Sequence, residues 1–379
     1  MDEQAISWGL FRRVPVEKQK QAPVLLIAAI WFFVSLGVLS MPAVAQDVRA
    51  RFAPEGASGT SAKTQVIAPN FMVSAANPHA VDAGVAILKA GGSAVDAAIA
   101  TQLVLNLVEP QSSGIGGGAF IVLFDAAENK VRTYDGRETA PAAAQPDRFL
   151  RDGRRMSFRT VVNSGLSVGV PGLVRVMELA HQRHGLLPWA RLFEPAIRLS
   201  SEGFKVSPRL NLLLNWYGAK RFVPKARAYF FDPSGQPRPV GYLLKNVEFA
   251  DTLKRIAEGG SAAFYEDGPI ARSIIAALQS APNAKGDMTL QDIADYRALE
   301  REPVCFKYRV RRICGMGPPS SGGITVAQTL KLLEGYDLSK QAIGVMSPKA
   351  LHLIAEAQKL AYADRNRYLA DADLSLIHI

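Results

Sequence analysis

A guanidinium at the end of a strand is a tool for holding a carboxylate, and Arg137 is placed to be one. It follows the strand-like run Val131 to Tyr134 and Asp135-Gly136, and leads into Glu138-Thr139-Ala140-Pro141. Arginine presents five donors in a planar fork that matches a carboxylate bidentately. The plainer alternative is a solvated arginine after a strand. Other stretches also carry groups that could react or bind. Gly165-Leu166-Ser167-Val168-Gly169 fits the G-x-S-x-G nucleophile elbow, with Ser167 as nucleophile. That motif needs a strand before the serine and a helix at once after it, yet Val168-Gly169-Val170-Pro171 intervenes. Ser320 or Ser321, in Pro318-Pro319-Ser320-Ser321-Gly322-Gly323, could hold an anion at a helix start or simply cap that helix. His79, His181, His184, His352 and His378 show no ligand spacing, so a metal enzyme is disfavoured. His79 falls in a predicted first helical turn. No metal and no cofactor are expected.

The elements that must position these groups are legible from caps and periodicity. Asn77-Pro78 opens a helix that Gly91-Gly92 ends. Ser93 with Asp96 predicts a capping box for a second, alanine-rich helix, which Pro110 stops. The turn Gly114-Ile115-Gly116-Gly117-Gly118 then feeds a hairpin of Phe120 to Asp125 and Val131 to Tyr134. These glycines are not a nucleotide loop. Dinucleotide fingerprints run strand, glycines, helix, and here the order is reversed. They imply close backbone packing, or bare backbone beside a pocket. Thr160 to Val168 has a β-like pattern, and Pro171 opens a helix that Gly185 stops. Further helices are predicted at 192–199, 247–258, 270–279, 290–296, 325–333 and 350–367, with a second hairpin over 304–316. Blocks of helices and antiparallel strands favour α+β layers over a doubly wound sheet.

Within the second hairpin, a turn at Arg309-Val310 places Cys305 opposite Cys314. Arg-Val is a poor two-residue turn, which leaves the register open, and a cross-strand disulfide and two buried thiols both remain open. Two cysteines alone cannot complete a metal site.

The chain has 379 residues, 48% hydrophobic and 21% charged, which excludes bulk disorder. Its net charge of +10 invites nucleic acid. The basic residues are scattered, however, and no RNA- or DNA-binding motif accompanies them. Arg148, Arg151, Arg154, Arg155 and Arg159 suit a solvated loop, and Trp216 to Phe231 a helix-plus-loop packing segment. No nucleic-acid partner is expected. At the N-terminus, Arg12, Arg13, Lys18 and Lys20 precede an apolar run, Val24 to Leu39, and Ala43-Val44-Ala45. This predicts a secretory signal peptide over 1–45, a flexible leader over 46–65, and an exported protein with no stable membrane association after cleavage. An uncleaved anchor is the alternative.

Several motifs in order then resemble the gamma-glutamyltranspeptidases. They are Gly91 to Ala98, Val108-Glu109-Pro110, Ser112 to Gly118, Gly136 to Pro141, Val168 to Gly172, Pro318 to Gly323 and Ala361-Tyr362-Ala363-Asp364-Arg365. The resemblance spans about residues 65–373. It implies an N-terminal-nucleophile hydrolase with an αββα sandwich, of which 66–373 is the large-subunit part. It further implies a precursor that cleaves itself, after which a threonine of the small subunit forms an acyl-enzyme. The gamma-glutamyl group of glutathione passes to water or to an acceptor amino acid or peptide. By position, Arg137 matches the arginine that grips the α-carboxylate, and Glu138 would orient it. The expected departure is at the end. No catalytic residue is expected within the chain, because it stops before the threonine, with 374–379 as a non-native tail. A small subunit is therefore the expected partner. A non-catalytic large-subunit-like binding protein, a cephalosporin-acylase-like enzyme and a serine hydrolase using Ser167 are the alternatives.

Overall fold

The computed structural model describes residues 65–339 and 343–371. The predicted signal segment, nearly all of the leader and the tail 374–379 lie outside the described residues. The elements in order are α1 (Pro78–Lys89), α2 (Ala94–Val108), β1 (Ala119–Asp125) and β2 (Lys130–Gly136). Next come α3 (Phe158–Val162), α4 (Leu173–His184), α5 (Trp189–Glu202), α6 (Pro208–Tyr217), α7 (Pro224–Phe230) and α8 (Val247–Gly259). They continue with α9 (Ala262–Tyr265), α10 (Pro269–Gln279), α11 (Leu290–Asp295) and β3 (Leu299–Arg301). The last are β4 (Val304–Tyr308), β5 (Arg311–Gly315), α12 (Gly322–Leu333) and α13 (Pro348–Tyr368).

Local chemistry fixes the helix starts as predicted. Asn77 Oδ1 accepts from His79 N at 3.1 Å, which places His79 in the first turn of α1. Ser93 and Asp96 form the reciprocal capping box of α2. Helix α2 is apolar on most of its surface and packs between α1 and α5, with Leu103 and Val104 in the core. Strands β1, β2 and β3 form an antiparallel sheet in the order β1-β2-β3, with Ile121 opposite Tyr134 and Tyr134 opposite Glu300. The buried Tyr134 faces α4, where its hydroxyl meets His184 Nε2 at 2.6 Å. By the two-residue period of a strand, Val122 and Phe124 point to the opposite face. They are 50% and 60% exposed.

One expectation fails. Thr160 to Val168 is not a strand but α3 followed by a 3₁₀ turn at Gly165–Ser167. Ser157 Oγ accepts from Thr160 N at 3.2 Å and starts the helix. Gly165 then packs against a distant loop: its N–H donates to Ala284 O at 2.8 Å, and a Cβ on it would lie 2.2 Å from Gly286 N. The alternation of side chains was overridden by a cap and a tertiary contact. The basic segment Trp216 to Phe231 is helix and loop, as expected.

The second hairpin has the predicted register, with Cys305 opposite Cys314, and the two are joined as a disulfide. Its turn forces Arg309 to φ 52°, a region arginine seldom adopts. The compensation is tertiary: Arg309 N donates to Glu334 Oε1 at 2.8 Å, and its Nη2 to Tyr336 O at 2.9 Å. Thiol titration of the denatured, unreduced chain should find no free thiol, and two after reduction. Two free thiols before reduction would reject the bridge.

Candidate functional site

The glycine turn, the end of β2 and the start of α4 converge on Arg137. Gly118 sits so close to β2 that a Cβ would lie 2.5 Å from Gly136 O and 2.8 Å from Glu138 Oε2. Only glycine lets β1 leave the turn there. Gly114 and Gly116 have open space instead and line cavities. Both sequence readings of the turn therefore hold, at different glycines. Gly117 O accepts from Gly172 N at 2.9 Å and Leu173 N at 3.0 Å, tying the turn to the first residues of α4.

The backbone of Arg137 is pinned on both sides. Its N–H donates to Asp135 Oδ1 at 2.9 Å, and its carbonyl accepts from Tyr296 Oη at 2.7 Å. Asp135 is buried, and its other oxygen accepts from Arg301 Nε at 2.6 Å. Burial, with the charges of Asp135 and Glu138, pushes the Tyr296 hydroxyl well above the ordinary tyrosine range. It therefore stays protonated and donates. Beyond Arg137, Thr139 and Val170 pair as an antiparallel bridge.

The guanidinium itself is free to act. The Arg137 side chain is 60% exposed, and its Nε lies 3.4 Å from Glu138 Oε2. It stands between two cavities. One, of about 460 Å³, includes Gly116, Thr139 and Ser167; the other, of about 600 Å³, includes Gln102, Glu109 and Ser112. A fixed backbone carrying an exposed fork suits recognition of a carboxylate. The buried Glu109 braces the second cavity, accepting from Asn77 Nδ2 at 2.9 Å and Gln111 Nε2 at 2.5 Å.

The remaining candidates lie apart or are engaged. Ser167 shares a cavity with Arg137, but its Oγ donates to Ser164 O at 3.0 Å. No strand precedes it, so the elbow is not formed. Ser320 Oγ accepts from Gly322 N at 3.2 Å, and Ser321 Oγ accepts from Arg365 Nε at 3.3 Å. Ser320 thus serves the start of α12, while Ser321 ties that start to α13. Among the described residues, no cluster of His, Cys, Asp or Glu could hold a metal ion. Sequence reasoning missed Tyr296 and Arg301. They stand more than 150 residues from Arg137 and Asp135 in the chain, with no local signal. Asp135, two residues before Arg137, was within reach of a turn-based reading.

Residues 80–378 match the sequence profile of the gamma-glutamyltranspeptidases. The chain belongs to the gamma-glutamyltranspeptidase family. It is 38% identical over 311 residues to the glutathione hydrolase proenzyme of Escherichia coli, covering 81% of this chain and 52% of that protein. To the glutathione hydrolase proenzyme of Bacillus subtilis it is 37% identical, covering 80% and 50%. The chain thus spans about half the length of these curated relatives. Among solved structures, the Helicobacter pylori gamma-glutamyltranspeptidase superposes with a TM-score of 0.77 at 33% identity, covering 83% of this chain and 88% of that one. A cephalosporin acylase from Bacillus halodurans gives 0.65 at 29%, covering 77% and 53%. The family assignment agrees with the α+β layers and with the N-terminal-nucleophile hydrolase fold expected from the motifs.

Proposed function

We propose that this chain is the large-subunit half of a gamma-glutamyltransferase and glutathione hydrolase, with Arg137 holding the α-carboxylate of the gamma-glutamyl group. The observation that carries this reading is the exposed guanidinium on a backbone fixed by Asp135 and Tyr296, beside open glycine backbone. Glu138 limits the swing of the fork through Nε, leaving the Nη groups for substrate. A threonine on a small subunit from the same precursor attacks the γ-carbonyl and forms an acyl-enzyme, as the γ-amide C–N bond breaks and the amine part of the donor leaves with the hydroxyl proton. Water or an acceptor amino acid or peptide then takes the acyl group.

The apolar outer face of β1, at Val122 and Phe124, supports a docking place for that subunit. It would build the second sheet of the sandwich. The Cys305–Cys314 bridge supports an exported protein, since oxidising compartments keep such bonds. Among the described residues, no helix is long and apolar enough to cross a membrane. Between a gamma-glutamyl donor and a cephalosporin-acylase-like substrate, Arg137 favours the donor with an α-amino acid end.

Co-expression with its cognate small subunit is the test. Hydrolysis of a gamma-glutamyl anilide should appear with the pair and not with this chain alone. Activity of this chain alone that is lost on Ser167→Ala would sink the proposal.

A further inference from the structure

Two adjoining cavities lie apart from Arg137. The first, of about 610 Å³, is set among α3, α6 and α7, with Phe158, Leu213, Leu214, Tyr217 and Phe222 in its wall. That volume suits a small organic ligand. Arg159 and Arg221 line it, and no carboxylate does. The second, of about 1060 Å³, shares Tyr217 and Arg221 with the first and adds Lys220, Arg227 and Arg238. Asp232 is the one carboxylate in its lining. Its Oδ1 is occupied, accepting from Ser234 Oγ at 2.6 Å and Gln236 N at 2.9 Å.

The two halves ask for different chemistry. Arg159, Lys220, Arg221 and Arg227 are exposed and enter no ion pair among the described residues. Lys225, nearby, is paired with Glu248. Phe158 is 82% exposed at the edge of the apolar half. An inorganic anion would meet the cations and leave the aromatic wall wet. A neutral hydrocarbon would fill the wall and leave the cations unmet. A ligand carrying both groups satisfies both.

We propose that these cavities form one binding site for a small amphipathic organic anion. An aryl or short acyl group would lie against Phe158 and Phe222, with its carboxylate or phosphate on Arg221, Lys220 and Arg227. The site is a near neighbour of the Arg137 cleft: Pro110 lines both the apolar cavity and the Glu109 side of that cleft.

The test is calorimetric titration of the full chain with 4-phenylbutyrate, alongside 4-phenylbutanol and inorganic phosphate. Saturable binding of phenylbutyrate is expected, with both controls about tenfold weaker or worse, the size of one lost charge or one lost apolar group. Phe158→Ala and Arg221→Glu should each weaken phenylbutyrate by about tenfold or more, and Lys225→Ala should leave it unchanged. Both cavity residues are exposed, so the variants should keep the wild-type circular dichroism. Absence of saturable binding overturns the site, as does equal affinity for either control or indifference to both variants. Vesicles containing phosphatidylglycerol provide the last arm. Binding to vesicles without binding to phenylbutyrate would make this a lipid-facing patch and also overturn the small-ligand site. No gamma-glutamyl substrate enters the assay, so failure here leaves the function proposed above untouched.

Discussion

Arg137→Ala should lower kcat/KM of the assembled enzyme for gamma-glutamyl donors by about 10²–10³. A charge-assisted hydrogen bond contributes about 1.5–3 kcal/mol, and a bidentate grip makes two of them. Part of that is returned by water in the vacated space, leaving about 3–4 kcal/mol, at 1.4 kcal/mol per decade. The α-carboxylate is remote from the carbonyl under attack. The loss should therefore fall mainly on KM, as uniform binding energy does. Arg137→Lys keeps the charge and loses the fork, so it should sit between wild type and alanine. Folding should be unchanged, because Asp135 and Tyr296 hold the backbone at this position and not the side chain. An alanine variant with unchanged KM would remove Arg137 from the substrate site. The measurement is steady-state kinetics with a gamma-glutamyl anilide and with glutathione.

Asp96→Ala should destabilise the fold by about 3–5 kcal/mol, because three backbone hydrogen bonds to its carboxylate are lost at about 1.5–3 kcal/mol each and water replaces them only in part. Asp96 is fully buried. Its Oδ2 accepts from Ser93 N at 2.8 Å, Leu186 N at 2.9 Å and Leu187 N at 3.1 Å. Its Oδ1 lies 3.7 Å from His181 Nε2, which is itself 2.8 Å from Leu187 O. One carboxylate thus joins the start of α2 to the link between α4 and α5. Alanine leaves those three backbone donors without their carboxylate acceptor. Asn retains an oxygen for them and should lose less. Urea unfolding should show the midpoint falling with little change in slope. An alanine variant within about 1 kcal/mol of wild type would mean that water replaces the carboxylate, and that Asp96 matters only as a cap.

These two residues show how differently the chain discloses its parts. The capping box of Ser93 and Asp96 is written within four residues, and the helix it starts is where periodicity puts it. The reach of Asp96 to Leu186 and Leu187 is not written anywhere nearby, because it depends on α4 ending beside α2. Arg137 is similar. Its place after the second strand of a hairpin follows from alternation and turn residues. Its support by Tyr296 and by the Asp135–Arg301 pair depends on β3 arriving from more than 150 residues away. The error at Thr160 to Val168 has the same origin. Alternating side chains are compatible with a strand, but Ser157 caps a helix there and Gly165 is drawn against Gly286.

The bond between Cys305 and Cys314 was decided only in the structure, while the sequence by itself determined the caps, the two hairpins and the family motifs. Each depends on interactions between near neighbours or on fixed spacing, where few conformations compete. Tertiary structure alone decided which glycines pack and which line a cavity. It also decided that Arg309 can hold a left-handed turn, through Glu334 and Tyr336. Those outcomes depend on partners distant in the chain, and no local pattern encodes which partner arrives. The fork of Arg137 belongs to both: its chemistry lies in the residue, and its fixed position comes from the elements folded around it.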